Sequence, residues 1–317
     1  MPCIRIKSFA LLLALVLSAP VLAGTQTDRE RGDLKGPVKS VRTESAAYSG
    51  AAPGRCSENK RMLESVSEYN QDGNLTSFVD YNFDGTVHRS DAFNREITGM
   101  LLTQVSSDAK GVSFEKQVFD PAYGGRPTLS YMYKTGGLID STTTWEYGDG
   151  GQPVRTSTKD SEGNVIWGQA LNAAGKSTEE DEYKDGALVS KRVLTYDSGG
   201  NLIESAHYGA DGSLLDGAKD PARTVNKYDS AGLFKEQTGY DARGDVVWQQ
   251  AYSYDDHENI TEISTYAHGT MMISHRTFAY EYDAMGNWTK QSVSEDFTNV
   301  CSHPMEMRYR TIRYWTT

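Results

Sequence analysis

The chain has 317 residues, with 32 Lys and Arg against 43 Asp and Glu, which gives a formal net charge of −11. This balance argues against nucleic acid as the main partner, because binding to a phosphate backbone needs clustered basic side chains. Hydrophobic residues make up 38% of the chain, aromatic residues make up 10%, and 19 of the aromatic residues are Tyr. These values exclude both a thick conventional core and a disordered chain, and they indicate a thin, Tyr-rich β architecture.

Residues 1–23 have the layout of a cleaved secretory signal. Arg5 and Lys7 supply positive charge, residues 9–17 form an unbroken apolar run, and Val21 and Ala23 are the small residues before the cleavage site. The apolar run is shorter than the roughly 20 residues that a spanning helix needs. The sequence therefore predicts export, to the periplasm, the medium or the cell surface, of a mature chain without a transmembrane segment.

Residues 24–68 are predicted to form a polar leader and the opening strands. Leu34 to Glu44 places apolar residues at intervals and begins beside Pro37, a pattern that suits an edge strand. Residues 49–54 are rich in Gly, Ala and Pro and are predicted to form a loop.

A seven-residue motif recurs from Tyr69 to Trp288. Its clearest copy is Tyr196-Asp-Ser-Gly-Gly-Asn-Leu202. The Asp-x-x-Gly segment is typical of a type I turn followed by a Gly in the left-handed conformation. If Asp197 pairs with Asn201 across this three-residue loop, Tyr196 lies directly opposite Leu202. The motif therefore predicts consecutive β-hairpins, each with an aromatic–apolar pair beside its turn.

The spacing of the copies predicts how the strands are arranged. The first residues of the copies lie at 69, 81, 93, 119, 131, 147, 159, 171, 183, 196, 208, 228, 240, 254, 266 and 282. Every interval is even except the one after Tyr183, where Asp185-Gly186 shortens the turn by one residue. Because strand side chains alternate between faces, even intervals are expected to hold these residues on one face of the sheet.

The predicted fold is all-β: a single curved antiparallel sheet of consecutive hairpins, either an open solenoid or a closed ring. The repeats span residues 69–288, and residues 289–317 form a closing segment with a strand from Arg308 to Trp315. Two stretches depart from the repeat. Arg95 to Val105 has apolar residues at near-helical spacing and is predicted as a helix or an irregular strand, and residues 211–221 form an insertion loop.

The motif resembles the YD repeat of bacterial RHS-type proteins. The likeness rests on Tyr-Asp-x-x-Gly-Asn-Leu and covers about Tyr69 to Trp288. The resemblance implies walls of stacked β-hairpins and an exported protein, and the large members of the family enclose a toxic polypeptide in a shell. It thus implies a fold and a destination rather than a catalytic activity.

No pattern of residues points to catalysis or to a cofactor. The sequence has no Gly-x-Ser-x-Gly elbow, phosphate loop or dinucleotide fingerprint, and its six His residues lack metal-ligand spacing. The one metal-like match is Asp80, Asn82, Asp84 and Asp91, which follows the oxygen-ligand spacing of a calcium loop. The alternative is that Asn82 to Thr86 is one more hairpin turn. We therefore predict no enzyme and no cofactor, with calcium as an open candidate.

After signal cleavage the chain retains two cysteines, Cys56 and Cys301, one near each end of the repeats. An exported protein meets an oxidising compartment, where two thiols usually pair. A disulfide needs Cα atoms within about 7 Å, so the pairing would require the sheet to curl until its ends meet. The sequence thus predicts an intramolecular disulfide in a closed ring.

Three functions stay open at the level of sequence. The first is an exported, non-enzymatic scaffold or recognition surface that binds a protein or a glycan. The second is a carrier or accessory fragment related to toxin-delivery shells, which rests on the resemblance. The third is a carbohydrate-active enzyme, which would need a facing pair of acids.

Overall fold

We analysed a computed structural model that describes residues 27–316, apart from 50–55, 97, 99, 121, 123–125, 135, 217–219 and 297–304. The predicted signal lies outside the described residues. The elements are α1 Asp28–Arg31, β1 Val38–Ser49, β2 Ser57–Glu58, β3 Met62–Tyr69, β4 Leu75–Tyr81, β5 Val87–Arg95, β6 Leu101–Ser107, β7 Ser113–Asp120, β8 Arg126–Tyr133, β9 Ile139–Tyr147, β10 Pro153–Asp160, β11 Val165–Leu171, β12 Ser177–Lys184, β13 Ala187–Tyr196, β14 Leu202–Gly209, β15 Arg223–Tyr228, β16 Phe234–Tyr240, β17 Val246–Tyr254, β18 Ile260–Ala267, β19 Met271–Tyr282, β20 Trp288–Glu295 and β21 Glu306–Tyr314.

The strands form one closed antiparallel barrel. From β3 to β21 each strand pairs with the next, and β1 pairs with β3 on one side and with β21 on the other. Val41, for example, lies opposite Ser67 of β3 and Ile312 of β21. Twenty strands thus close the ring, and β2 extends it by pairing with the end of β1. The all-β prediction is confirmed, and of its two variants the closed ring is the one observed.

One local prediction is wrong, and a second stretch is resolved between its two predicted alternatives. The opening strand is not an edge strand, because β1 pairs with β3 on one side and with β21 on the other. Pro37, which lacks a backbone N–H, lies just before the first residue of β1. Its carbonyl accepts a hydrogen bond from the Trp315 amide at 2.8 Å. Of the two alternatives predicted for Arg95 to Val105, the irregular strand is the one observed among its described residues, with a register shift at Asn94 and Arg95. The stretch is the end of β5 and the start of β6, because cross-strand pairing outweighs a short near-helical pattern.

The predicted turns are present. The Asp197 amide donates to the Asn201 carbonyl at 2.9 Å, and Gly200 takes a φ of 82°. The Asp197 carboxylate accepts a further bond from the Asn201 amide at 2.8 Å. Tyr196 lies opposite Leu202, as predicted, and the equivalent pairs recur around the ring.

A β-bulge beside each turn makes the prediction of a single motif face wrong. Tyr196 pairs with Leu202 but Thr195 pairs with Glu204, so Ile203 is an extra residue. Such a shift occurs in every consecutive pair from β3 to β20 except β14–β15. One extra residue moves the rest of the strand to the opposite face. Successive motif residues therefore alternate between the two faces of the sheet, except that Phe93 and Phe119, which have two bulges between them, share a face.

The N-terminal segment packs across one end of the barrel, the end that holds the turn after Tyr69. Thr27 caps α1 in a capping box with Glu30, and the Arg29 amide donates to the Gly73 carbonyl at 2.9 Å. Farther along, the Asn287 side chain bonds both the amide and the carbonyl of Lys35 at 2.8 Å. The main buried apolar cluster lies beneath this segment and consists of Leu34, Val38, Val41 and Tyr69, with Leu75, Ile312 and Tyr314 against it.

Candidate functional site

The register sorts the strand side chains into two faces, because directly paired residues point to the same side. The Tyr69 face passes from Ser67 to Phe78, then to Asp91 and Ser106, and continues around the ring. The opposite face carries Tyr81, and we call it the Tyr81 face. Following the pairs around the whole ring returns each face to itself, so the assignment is consistent.

The Tyr69 face lines the inside of the barrel. Strands of L-residues twist right-handed, and with this register the resulting tilt turns the Tyr69 face toward the axis. Burial agrees, since only the concave side of a one-layer wall is enclosed. Most of the buried side chains in the described strands belong to this face, among them Val41, Tyr69, Ser106, Phe119 and Ser130.

The Tyr81 face is a hydrated outer surface. Ion pairs run along its strands, among them Lys191–Glu179 at 3.1 Å, Lys227–Glu236 at 2.6 Å and Lys290–Glu281 at 2.6 Å. Exposed pairs of this kind add little stability but keep a surface wet. Small and β-branched residues fill much of the space between them.

The barrel is wide enough to be hollow. Twenty strands at about 4.8 Å give a backbone diameter of about 31 Å before tilt widens it. Side chains of about 5 Å on each side leave an interior of roughly 20–25 Å. Barrels of 16–18 strands already leave an aqueous channel, so this interior can hold water and an extended ligand.

The inner face concentrates indole and amide groups. The four tryptophans and six of the seven glutamines in the described strands lie on it. They are Trp145, Trp167, Trp248, Trp288, Gln104, Gln117, Gln169, Gln237, Gln250 and Gln291. Two glutamine pairs face each other directly across neighbouring strands, 104 with 117 and 237 with 250. The combination provides flat apolar surfaces beside groups that both donate and accept hydrogen bonds.

Arg310 is a cation on this face that forms no ion pair among the described residues. The Arg310 guanidinium lies 3.6 Å from the centre of the Trp288 ring, and its Nε is enclosed without a hydrogen-bond partner. Among the described residues no carboxylate approaches it within the 4.0 Å of an ion pair. Its neighbour along the strand, Arg308, differs because Glu306 at 3.0 Å and Glu64 at 3.7 Å neutralise it.

The candidate calcium ligands do not converge on a shared centre. The Asp84 carboxylate accepts bonds from the amide and hydroxyl of Thr86, Asp91 pairs with Arg89 at 2.7 Å, and Asp80 contacts His88. Asn82 begins a hairpin turn, as the alternative predicted. Within the described ranges no group of three or more His, Cys, Asp or Glu side chains is placed to hold a metal ion. The calcium prediction therefore stays a prediction, and a calorimetric titration of the mature protein with calcium would test it.

The described residues nearest to the two cysteine positions lie on opposite sides of the end of β1. Cys56 directly precedes Ser57, which pairs with Ser49 at the end of β1. On the other side of β1 the Tyr48 amide donates to the Met305 carbonyl at 2.9 Å. Cys301 lies outside the described residues, so the disulfide stays a prediction.

The sequence alone did not single out the inner-face residues. The bulges are the reason: even intervals between motif residues predict a shared face, but with one extra residue per hairpin that assignment mixes residues from both faces. One signal was available: 13 residues separate Gln104 from Gln117 and Gln237 from Gln250. Motif residues recur most often every 12 residues. Side chains that share a face recur every 13 instead, because each hairpin contains one extra residue.

Comparison with known proteins leaves the family open. No protein-family model matches the chain, and no curated protein matches it either. A porin-like protein from Bacteroides uniformis is similar at 13% identity and a TM-score of 0.38, over 88% of this chain and 98% of that one. A porin-like protein from Bacteroides vulgatus is similar at 11% identity and a TM-score of 0.25, over 86% and 98%. The TcdB2-TccC3-Cdc42 structure is similar at 15% identity and a TM-score of 0.20, over 75% of this chain and 16% of that one. Similarities of this size support no statement about function.

In the part of the chain that the structure describes, no helix has the length and apolarity to span a membrane.

Proposed function

We propose that this chain is an exported, non-enzymatic recognition protein whose hollow barrel binds a polysaccharide strand along its inner face. The observation that carries the proposal is the segregation of the strand tryptophans and nearly all strand glutamines to that face. Sugar rings have apolar faces that stack on indoles, and their hydroxyls suit amide groups that donate and accept. Export rests on the secretory layout of residues 1–23.

The width of the interior favours an extended ligand over a folded one. A 100-residue domain has a radius of gyration of about 13 Å and is therefore more than 30 Å across. The interior of roughly 20–25 Å would not enclose it, whereas a single polysaccharide strand would fit. This difference in size weighs against a carrier that encloses a folded toxin within this one ring.

The test is a binding panel with the mature chain, residues 24–317. We expect titration with neutral and acidic polysaccharides to change the tryptophan fluorescence and to release heat in calorimetry for at least one polymer. Trp167→Ala removes an inner-face indole and should weaken that binding about three- to tenfold. Tyr266→Ala removes an aromatic side chain from the outer face and should leave it unchanged.

Two results would overturn the proposal. One is the absence of binding to every polymer of the panel by a folded protein. The other is binding that Tyr266→Ala weakens as much as Trp167→Ala does. A reducing-end assay on the same samples tests the non-enzymatic part, since hydrolysis would release new reducing ends.

A further inference from the structure

The inner face is not uniform in charge where the ring closes. Arg276, Arg308 and Arg310 lie on β19 and β21 on this face. Glu295 lies 3.5 Å from Arg276, and Glu306 lies 3.0 Å from Arg308. Two of the three cations are thus neutralised by carboxylates of the protein, and Arg310 is not.

Arg310 is held in place by its neighbours although its side chain is partly exposed. Its guanidinium rests on the Trp288 ring, and its Nε is enclosed. Thr43 of β1 lies directly opposite it, and Asp33 and Tyr69 act on its charge without a hydrogen bond. The Arg310 side chain as a whole is only partly buried, so its other N–H groups can meet an anionic ligand, and a carboxylate there would form charge-assisted hydrogen bonds that the protein itself does not supply.

The surroundings suit a sugar acid better than a bare ion. Gln291 pairs with Arg308 across the strands, and its amide donates to the Tyr280 hydroxyl at 2.9 Å. The Trp288 indole thus contacts the guanidinium, and an amide and a phenol lie on the neighbouring strands of the same face. A planar carboxylate fits the fork of a guanidinium, while the sugar that carries it can contact the aromatic and amide groups.

We propose that Arg310 and Trp288 form an anchoring subsite for the carboxylate of a uronic acid, so that the polysaccharide bound in the barrel is an acidic one. This inference rests on the proposed function and specifies its ligand. The other inner-face indoles and amides then hold the rest of the strand without selecting for charge.

The experiment compares two forms of one polymer. Polygalacturonate oligomers and their fully methyl-esterified forms share a backbone and differ only in the carboxylate. We expect the wild-type mature chain to bind the acid form at least tenfold more tightly than the ester, because the guanidinium–carboxylate bond is charge-assisted. High salt should narrow this difference.

Three variants locate the effect. Arg310→Gln should abolish the preference for the acid form, and Arg310→Lys should retain part of it because the charge remains. Arg313→Gln is the matched control, since Arg313 lies on the outer face of the same strand. Circular dichroism establishes that each variant is folded; if Arg310→Gln does not fold, Arg310→Lys and the acid–ester comparison decide.

The outcomes separate the two proposals. Equal binding of the acid and the ester by the wild type, or an undiminished preference in a folded Arg310→Gln, would overturn the subsite and leave the proposed function standing. Binding only to neutral polysaccharides would do the same. Failure to bind any polysaccharide would overturn the proposed function itself.

Discussion

At the scale of single residues, His275 is the clearest source of a pH dependence. It lies on the outer face, where its Nδ1 is 2.5 Å from an Asp296 carboxylate oxygen and its Nε2 is 2.8 Å from Glu262. Both nitrogens can donate only when the ring is protonated. The hydrogen bond to Asp296 and then that to Glu262 raise the pKa of His275 above its ordinary value.

The sign of the effect follows from linkage. A raised pKa in the folded state means that the contribution is complete below about pH 6.5 and is lost as the pH rises through the folded value. We therefore expect the difference in Tm between the wild type and His275→Gln to be larger at pH 6 than at pH 9. His207→Gln is the control, because no carboxylate contacts that ring among the described residues. A difference that is constant or grows toward high pH would contradict the assignment.

Gly239 holds an inner-face tryptophan in position. A Cβ at Gly239 would lie 2.6 Å from Cε2 of Trp248 and 3.0 Å from Cγ of Pro221. Gly239→Ala should therefore displace the indole and destabilise the fold by about 1–3 kcal/mol. The displacement should be visible as a shift of the Trp248 indole resonance in NMR spectra.

Gly244 provides the comparison for Gly239. It has a φ of 91°, and a Cβ added there would meet no atom within 4 Å, so Gly244→Ala strains only the turn. That strain amounts to about 1–2 kcal/mol. An indole shift of equal size in both variants would show that Gly239 has no special contact with Trp248.

At the scale of hairpins, tyrosines join neighbouring repeats at the Tyr69 end of the barrel. In each case a hydroxyl donates to a carbonyl at the start of the preceding strand. The Tyr254 hydroxyl reaches the Phe234 carbonyl at 2.6 Å, and the equivalents are Tyr147 to Pro127, Tyr228 to Leu202 at 3.0 Å and Tyr280 to Ile260 at 2.9 Å. These bonds connect neighbouring hairpins at this end of the barrel. They add side-chain hydrogen bonds to the backbone pairing between the strands.

Removing one such bond should have a modest and measurable effect. Tyr254→Phe keeps the ring and deletes only the hydroxyl, so we expect a loss of about 0.5–1.5 kcal/mol in the free energy of unfolding. Tyr266→Phe is the matched control at the opposite end, where the hydroxyl has no hydrogen-bond partner among the described residues. Urea unfolding followed by circular dichroism measures both. Equal losses would mean that the bonds between hairpins contribute nothing specific.

The sequence predicted the hairpins correctly but not the faces of their strands. The turn chemistry of Asp197 and Gly200 is local, so the turn and the Tyr196–Leu202 pair followed from the motif. The bulge at Ile203 did not follow from the motif, because the motif specifies the turn and the first pair, whereas the register shift comes one residue farther along the strand. The same limit applies to Arg310 and Trp288, whose proximity arises only when the register of β20 and β21 is known.

At the scale of the whole molecule, closure depends on one seam. β1 pairs with β21 from Val38–Tyr314 to Ala47–Glu306, and the Asn287 side chain fastens Lys35 of the N-terminal segment to the same place. The sequence left the open and closed forms as alternatives, because hairpin pairing between neighbours is the same in both. Only the long-range β1–β21 pairing separates them.

The seam also explains why the predicted disulfide is geometrically reasonable. Cys56 adjoins the residues that pair with Tyr48 and Ser49 of β1 on one side, and Met305 contacts Tyr48 on the other. The strands flanking β1 are about 10 Å apart, and Cys301 is four residues from Met305. A disulfide needs Cα atoms within about 7 Å, and four residues of chain can span about 13 Å, which is enough to cover the remaining distance.

We expect peptide mass spectrometry under non-reducing conditions to find Cys56 linked to Cys301 within one chain. The bond would close a loop of about 245 residues, for which loop-closure entropy gives about 5 kcal/mol of stabilisation. Reduction, or the Cys56→Ser and Cys301→Ser double variant, should therefore lower the free energy of unfolding by several kcal/mol. The barrel should persist under native conditions, because the β1–β21 pairing does not depend on the sulfurs. Free thiols at both positions, or a linkage found only between chains, would show that hydrogen bonding alone closes the ring.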